Sequence, residues 1–387
     1  MIYLIAAVNL LLLTYLGWGA IYQLFYALAG HFYKRDKMQP TENLRRMIVF
    51  IPAYKEDSVI VQTARLTLVQ DYPRDRYDVM VIADGLKEST LQTLRSLPIK
   101  VLEVQFEKST KSKALNRALD TLEPDAYDAA VILDADNIAA PDFLKRINAD
   151  MERGAVAVQG RRAAKNSHTG VAILDAASED TNNHILCRGH QAVGLSARLA
   201  GSGMAFEYTL FRKVMRKVDA VGGFDKELEL RLTAVGVHLE YDEQAVIYDE
   251  KVSKAEAFTK QRSRWIAAQF RYFGRFFQKG VKSLRRGNFD FFNKTMQMAL
   301  PPRLLLPVFL LVGVLFNWAV GSVWVWPWLA VFSLNATSWL LAMPRYCFQR
   351  ENIIMWTHLP TIVLATLLAM RHLREANKRF IHTVHES

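Results

Sequence analysis

Residues 1–29 contain no charged side chain, and this stretch limits most strongly what the chain can fold into. It is longer than the about 20 residues that an α-helix needs to cross a bilayer. It also exceeds the apolar part of a cleaved signal peptide, and it lacks the basic start that such peptides have. We therefore predict a transmembrane helix over residues 1–30, which makes the lipid bilayer a partner of this protein.

A second apolar region lies near the other end of the chain. The segment Leu304–Pro344 carries no charge, and it is long enough for two spans joined near Gly321–Ser322. A further apolar stretch, Ile353–Met370, either crosses the bilayer or re-enters it from one side. We expect residues 301–370 to form a membrane region of two or three spans, followed by a cytoplasmic tail over residues 371–387.

Basic residues are concentrated beside these apolar segments. The chain has 49 Lys and Arg against 38 Asp and Glu, a formal net charge of +11. Because loops rich in Lys and Arg stay on the cytoplasmic side, we place the middle of the chain in the cytoplasm. The basic residues form no continuous patch interleaved with aromatic side chains, so we expect no nucleic-acid partner. The two cysteines, Cys187 and Cys347, are too far apart to indicate a disulfide framework or a zinc site.

Between the apolar ends, short strand-like runs alternate with amphipathic stretches. This alternation predicts an α/β fold with a mostly parallel sheet covered by helices. The predicted strands are Met47–Ala53, Val79–Ala83, Val101–Phe106, Ala130–Leu133 and Ala155–Gln159. The predicted helices include Ser58–Val69, Lys111–Leu122 and Phe143–Met151.

Acidic side chains follow the predicted strands where each strand ends. Asp134 and Asp136 come directly after an apolar strand, and Asp84 ends another. Lys111 and Lys113 lie at the start of the helix between them, where a positive helix end favours phosphate oxygens. Magnesium and manganese prefer a few carboxylates together with phosphate oxygens. This grouping favours a cation-held diphosphate over the alternative of a solvated turn.

Seven motifs occur in one order along the middle of the chain: IPAYKED, ADG, KSKALN, DADN, GSGMAF, GGFDKELELRL and QRSRW. This order resembles that of the membrane-bound, inverting family 2 glycosyltransferases, which include cellulose, chitin and hyaluronan synthases and many bacterial polysaccharide enzymes. The resemblance covers roughly residues 46–270, and QRSRW, which matches the Gln-x-x-Arg-Trp of the family, is its most specific part. It implies a GT-A-type α/β fold with a mostly parallel sheet, flanking helices and transmembrane helices at both ends.

The resemblance also implies three groups of site residues. The nucleotide-sugar donor would be bound by Pro52, Tyr54, Glu56, Asp84, Lys111, Lys113 and Asp134. Mg²⁺ or Mn²⁺ would be held by Asp134 and Asp136. The pyrophosphate and the acceptor would be bound by Gly201, Ser202, Gly203, Gln261, Arg264 and Trp265.

The catalytic base has two candidates. The family has a Glu-Asp pair before a helix of the form L-x-L-x-x-R-L-x-x-x-G, and its aspartate is the base. Here the helix reads ELELRLTAVG, and counting back from Arg231 and Gly236 puts Asp225 in that position. Matching KEL to the family's EDL puts Glu227 there instead. We favour Asp225, which is also suited to capping the helix.

The implied activity is inverting transfer of a sugar from a UDP-sugar to a glycan or lipid-linked acceptor. The new bond would be a β-linkage. The resemblance places the reaction in bacterial cell-surface polysaccharide synthesis at the inner membrane. An export partner or a second copy of the chain would be a further partner. Transfer of a single sugar to a polyprenyl phosphate or another lipid is the alternative, and an inactive membrane scaffold is the non-enzymatic one. The implied domains are a cytoplasmic GT-A domain over residues 31–260 and a Gln-Arg-Trp segment with amphipathic interfacial helices over residues 261–300.

Overall fold

One eight-stranded sheet forms the centre of the domain between the apolar ends of the chain. A computed structural model describes residues 2–35, 38–39, 41–252 and 255–371 of the chain. The strands are β1 Met47–Tyr54, β2 Tyr77–Asp84, β3 Lys100–Val104, β4 Ala129–Ile132, β5 Ile138–Ala139, β6 Ala157–Ala164, β7 Met204–Glu207 and β8 Glu240–Asp249. Their spatial order is β3-β2-β1-β4-β7-β6-β8-β5.

Helices cover the sheet and form both ends of the described chain. The α-helices before β7 are α1 Ile2–Ala29, α2 Ile60–Thr67, α3 Glu88–Arg95, α4 Lys111–Asp120, α5 Phe143–Glu152, α6 Gly170–Asn182 and α7 His190–Ala192. Those after β7 are α8 Tyr208–Met215, α9 Phe224–Ala234, α10 Ala255–Leu284, α11 Phe289–Gln297, α12 Leu306–Ala319, α13 Val325–Ala342 and α14 Leu359–Arg371. A π-helical segment, Asn183–Gly189, joins α6 to α7, and 3₁₀ segments occupy Gly30–Phe32, Arg74–Arg76, Arg345–Phe348 and Arg350–His358.

The predicted α/β sheet with flanking helices is confirmed. Strands β3, β2, β1 and β4 are parallel, as the sequence indicates. Strand β7 then pairs antiparallel with both β4 and β6, so the whole sheet is mixed. The sequence prediction missed β7 because its four residues are too short to show a period and follow the glycine-rich turn Gly201–Gly203.

Apolar residues fill both faces of the sheet. On β1, Ile48 and Phe50 pack into one core cluster, whereas Met47 and Val49 pack into the cluster on the opposite face. All four side chains are fully buried. A strand that is apolar on both faces needs helices on both sides, which is why strands and helices alternate along this part of the chain. The packed layers hold the strand ends in fixed positions.

Three helices among the described residues are long and apolar enough to cross a membrane: Tyr3–Phe32, Val325–Ala342 and Arg350–Leu368. The apolar helix α12 is shorter and packs with α1 and α13. The side-chain oxygen of Asn9 on α1 accepts hydrogen bonds from Asn317 at 3.0 Å and from the Trp328 indole at 2.8 Å. These bonds tie the N-terminal helix to two of the helices that follow the sheet domain.

The long helix α10 contains the QRSRW motif and continues well beyond it. The predicted boundary between residues 260 and 261 therefore lies within one helix. Tyr272 and Phe276 are buried against the core of the sheet domain, whereas Phe277 is exposed. A position of this helix in the headgroup layer remains a prediction. Residues 372–387, which include nearly all of the predicted tail, lie outside the described part of the chain.

Candidate active site

Three neighbouring parallel strands end at one edge of the sheet, which we call the carboxyl edge. In β1 and β2, Tyr54 stands opposite Asp84, and β4 adjoins β1 on its other side. A cavity of about 490 Å³ opens beside this edge. It brings together most of the predicted site residues: Pro52, Tyr54, Glu56, Asp84, Lys111, Asp134, Asp136, Gly201, Asp225, Gln261, Arg264 and Trp265.

The two aspartates of the DADN motif lie in a turn and not on an extended strand. Strand β4 ends at Ile132, and the backbone N–H of Asn137 donates to the backbone carbonyl of Asp134 at 3.1 Å. The Asp134 amide donates to the buried Ser202 hydroxyl at 2.9 Å, which fixes the turn to the glycine-rich segment. Both carboxylates still line the cavity, and Asp136 is the more buried of the two. The turn therefore presents two acidic side chains to one space.

Lys111 joins the DADN turn to the rest of the site. It is the first residue of α4, and the hydroxyl of Thr110 caps that helix by accepting the amide of Lys113 at 3.2 Å. The Lys111 ammonium pairs with the Asp134 carboxylate and donates to the Gly201 carbonyl at 2.7 Å. In contrast, the exposed Lys113 side chain donates to the Lys108 carbonyl, and it does not line the cavity. Only one lysine of the predicted pair belongs to the site.

The two base candidates occupy different environments. Asp225, in the first turn of α9, lines the cavity. Glu227 is fully buried outside it and accepts hydrogen bonds from Arg231 at 2.6 Å and from Arg275 at 3.0 Å. The N-cap residue of α9 is Gly223 and not Asp225. The structure thus brings Asp225, and not Glu227, to the other predicted residues.

The glycine-rich segment Gly201–Gly203 approaches Asp225 closely. Gly201 has φ +89°, and a Cβ placed on it would lie 4.0 Å from the Asp225 carboxyl carbon. A glycine is needed here because few other residues adopt this backbone conformation. Ser202 and Gly203 do not line the cavity, but the Ser202 hydroxyl is bonded to the DADN turn, which does.

Three residues of the QRSRW motif, Gln261, Arg264 and Trp265, project from α10 into the cavity. Burial lowers the pKa of Arg264 below its ordinary value. The intervening Arg262 stacks on the Trp265 ring, with its guanidinium carbon 4.5 Å from the ring centre. It also pairs with Asp175 at 2.9 Å. The motif therefore supplies an aromatic wall and cationic side chains.

Asp84 ends β2 and lies buried at the cavity wall. Burial raises the pKa of its carboxyl. A hydrogen bond from Ser109 and the charge of Lys55 lower that pKa, but by less. A carboxylate in this position is well suited to accept a hydrogen bond from a neutral donor group of a ligand, since a partner there would stabilise its charged form.

Sequence reasoning missed a second set of charged residues in the cavity wall. The additional residues include Arg162, Glu179, Arg198, Asp249 and Arg303, together with Tyr22 and Gln23 of α1. They come from distant parts of the chain and belong to none of the motifs. One signal was present: Arg303 interrupts an otherwise apolar stretch just before α12.

The acidic residues at the carboxyl edge fit a hard divalent cation. Asp134 and Asp136 offer carboxylate oxygens, which Mg²⁺ and Mn²⁺ prefer. Within the described ranges, no group of three or more His, Cys, Asp or Glu side chains could hold a metal. A cation at the DADN turn would therefore take its other ligands from a bound diphosphate and from water, as Mg²⁺ commonly does.

Known proteins resemble this chain across the same region. The family model described as "Glycosyltransferase like family 2" matches residues 45–268. A Beta-monoglucosyldiacylglycerol synthase of Trichormus variabilis is 27% identical over 232 residues, which cover 56% of this chain and 47% of that protein. The probable glycosyltransferase YdaM of Bacillus subtilis is 24% identical over 271 residues, which cover 63% of this chain and 62% of that protein. The chain thus spans about half the length of the first relative and under two thirds of the second.

A solved structure extends the likeness to nearly the whole chain. The mannosyltransferase PcManGT from Pyrobaculum calidifontis, in complex with GDP-Man and Mn²⁺, matches 93% of this chain and 98% of its own with a TM-score of 0.58. Because the sequence identity is 19%, the likeness concerns the fold, and it confirms the predicted GT-A type. Since the family model covers more than half of the chain, this protein belongs to glycosyltransferase family 2.

Proposed function

We propose that this protein transfers one sugar from a UDP-sugar to a lipid-linked acceptor at a membrane, with inversion at the anomeric carbon. One observation carries the proposal. The cavity that contains Asp134 and Asp225 is also lined by Tyr22 of α1, by Leu304 ahead of α12 and by Thr366 of α14. An acceptor held in the bilayer by an apolar tail could therefore reach the acidic residues without leaving the membrane.

The donor side is served by the carboxyl edge. Asp84 and Tyr54 would hold the nucleoside, and Lys111 would bind a diphosphate oxygen beside Asp134. Arg264 would bind the same diphosphate from α10. A Mg²⁺ or Mn²⁺ ion held by Asp134 and Asp136 would supply further positive charge toward the leaving diphosphate. Preorganised charge of this kind, directed at the group that becomes negative, is often the largest contribution to catalysis.

The acceptor side is served by Asp225. Its carboxylate would take the proton from the acceptor hydroxyl as the new bond forms between that oxygen and the anomeric carbon. The bond from the anomeric carbon to the diphosphate oxygen breaks, and the UDP leaves with the electron pair. General-base assistance of this kind contributes on the order of 10²–10⁴-fold. Attack from the side opposite the leaving group gives a β-linkage from an α-linked donor.

Two further observations support a lipid-linked acceptor. The relative from Trichormus variabilis is named as a synthase of a glycolipid, beta-monoglucosyldiacylglycerol. Three helices in the described part of the chain have the length and composition of membrane spans. We accordingly propose a multi-pass protein with its sheet domain on the cytoplasmic side of a bacterial inner membrane. Polymer synthesis would require a path for the growing chain, which an export partner or a homo-oligomer would have to provide.

The test is an activity measurement on the purified full-length protein in lipid nanodiscs. It is incubated with a panel of UDP-sugars and Mn²⁺ or Mg²⁺, with and without a bacterial lipid extract, and UDP release is measured. We expect one UDP-sugar to give UDP release that rises with the extract, and its sugar label to enter the organic phase. Label in a water-soluble polymer would contradict the lipid acceptor, and absence of metal-dependent UDP release from every donor would contradict the activity.

A further inference from the structure

Two arginines meet at one hydroxyl group in the cavity wall. The guanidinium groups of Arg262 and Arg303 both donate to the Ser178 hydroxyl, at 3.3 Å and 3.2 Å, and Arg303 also donates to the Ser178 carbonyl at 2.8 Å. Arg262 is paired with Asp175. For Arg303, no ion pair with a carboxylate occurs within the residues that the structure describes, and its Nε is buried without a described partner. We call Arg262 and Arg303 the arginine pair.

The carboxylates around the arginine pair are already used by other cations. Glu179 is paired with the buried Arg198. Asp249 is shared by Arg162 at 2.7 Å and Lys251 at 2.7 Å. Positive charge therefore exceeds negative charge in this part of the wall, counted over the described side chains. Buried like charges repel each other strongly, so an anion bound here would be stabilised.

The ionisation of Arg303 is consistent with this imbalance. Its burial, and then the charges of Arg262 and Arg198, lower the pKa of Arg303 to about 9, and the charge of Glu179 offsets this only in part. Arginine normally stays protonated far above this pH. A bound anion would restore the ordinary preference of Arg303 for its charged form.

The arginine pair lies on the membrane side of the cavity. Arg303 precedes α12 by three residues, and α12 begins at Leu306. The neighbouring Leu304 lines the same cavity, as do Tyr22 and Gln23 of α1. Arg198, another arginine of the cavity wall, is close enough to Asp225 for their charges to interact. A group bound by the arginine pair would thus stand between the bilayer and the carboxylate proposed as base.

We propose that the arginine pair binds a phosphate group carried by the lipid acceptor, so that the acceptor is a lipid with a phosphate-bearing headgroup and not a neutral glycerolipid. This inference rests on the proposed function. The planar guanidinium groups of two arginines match phosphate oxygens and form strong charge-assisted hydrogen bonds with them. Lys111 and Asp134 serve the donor diphosphate in this account, which leaves the arginine pair for a second anion.

The test measures lipid binding to the purified full-length protein in detergent micelles. The probes are water-soluble dihexanoyl phosphatidic acid and dihexanoylglycerol, which differ by the phosphate group alone. We expect wild type to bind the phosphate-bearing probe about tenfold or more tightly than the neutral probe. Arg303→Gln should lose about tenfold of affinity for the phosphate-bearing probe, Arg303→Lys should lose less, and neither should change the affinity for the neutral probe.

A matched control and a second ligand separate this site from other basic regions. Arg285→Gln changes an exposed arginine near the end of α10 and should leave binding of both probes unchanged. UDP with Mn²⁺ should bind Arg303→Gln as tightly as wild type, which also shows that the variant is folded. If Arg303→Gln weakens UDP binding and not lipid binding, the arginine pair serves the donor and the proposal is wrong.

Wild type alone gives a test that does not depend on a variant folding. Equal affinity of wild type for the two probes overturns the phosphate subsite. The proposed function would fail on a different result: wild type would transfer no sugar from any UDP-sugar, whatever its affinity for the lipid probes. The two failures can therefore be told apart.

Discussion

Asp225 and Glu227 lie two residues apart on α9, yet only Asp225 lines the cavity, while Glu227 is enclosed by Arg231 and Arg275. This arrangement gives the two carboxylates separate tasks. Glu227 joins α9 to α10 through its ion pair with Arg275, at 3.0 Å. Asp225 faces the cavity, where the proposed function uses it as the base.

We predict that Glu227→Gln lowers stability and spares catalysis. The substitution weakens the charge-assisted hydrogen bonds from Arg231 and Arg275, which are both partly exposed, and losing hydrogen bonds to a charged group costs about 1.5–3 kcal/mol. The melting temperature should fall clearly, while kcat of the folded protein stays within about threefold of wild type. Thermal unfolding and kcat, measured on the same preparation, check this. A variant with a normal melting temperature and a kcat reduced a hundredfold or more would make Glu227 the base.

The two lysines at the start of α4 should differ in their effect on donor binding. Lys111→Gln removes the ammonium group that reaches Asp134 and Gly201, so KM for the UDP-sugar should rise about tenfold or more. Lys113→Gln is the matched control, because that exposed side chain donates to the Lys108 carbonyl, away from the cavity, and its loss should leave KM near wild type. Equal effects of the two substitutions would contradict this placement of the diphosphate.

Ser202 is expected to be a positioning residue. Its hydroxyl accepts the Asp134 amide at 2.9 Å, and a hydrogen bond of this kind contributes about 1 kcal/mol. Ser202→Ala should therefore weaken Mn²⁺-dependent UDP binding about fivefold, with UDP binding in the absence of metal changed less. Titration calorimetry with and without Mn²⁺ distinguishes the two quantities. An equal loss with and without metal would indicate a general change of the cavity.

Stability should depend on pH through Glu179. Burial alone would raise its pKa, but Arg198, Arg162 and Lys251 lower it from 4.5 to about 2, which corresponds to about 3 kcal/mol. Because the folded-state pKa is the lower one, this contribution is complete well above pH 4.5 and is lost as the pH falls toward 2. Glu179→Gln should accordingly be less stable than wild type at pH 7.

Denaturant unfolding in micelles at two pH values checks the Glu179 prediction. The difference in unfolding free energy between wild type and Glu179→Gln should narrow by about 2 kcal/mol between pH 7 and pH 3. Glu107→Gln changes an exposed carboxylate and should show no such narrowing. A difference that is the same at both pH values would mean that Glu179 does not carry this linkage.

The sequence allowed the sheet and the donor side of the site to be predicted, because both depend on local patterns. The strands β1, β2 and β4 show as apolar runs, and parallel strands must end at one edge, so Asp84 and Asp134 could be expected to meet. The turn at Asp136 was harder to predict, since its conformation depends on the bond from the Asp134 amide to Ser202, which is 68 residues away in the sequence.

The arginine pair could not be predicted from the sequence. In the sequence, Arg303 resembles any basic residue that flanks an apolar segment. Its contact with Ser178, which it shares with Arg262, depends on how distant parts of the chain pack together. Similarly, both base candidates fit the family pattern, and the choice depends on Arg275, which reaches Glu227 from another helix. Long-range contacts of this type leave no periodic signal in the chain.

The most direct test of the central claim is the turnover of Asp225→Asn in the nanodisc assay, with the UDP-sugar and lipid extract that support transfer by wild type. We predict that kcat falls by about 10²–10⁴-fold, while UDP binds with Mn²⁺ as tightly as to wild type. A variant that binds UDP normally and keeps a wild-type kcat would contradict the assignment of Asp225 as the base in this cavity.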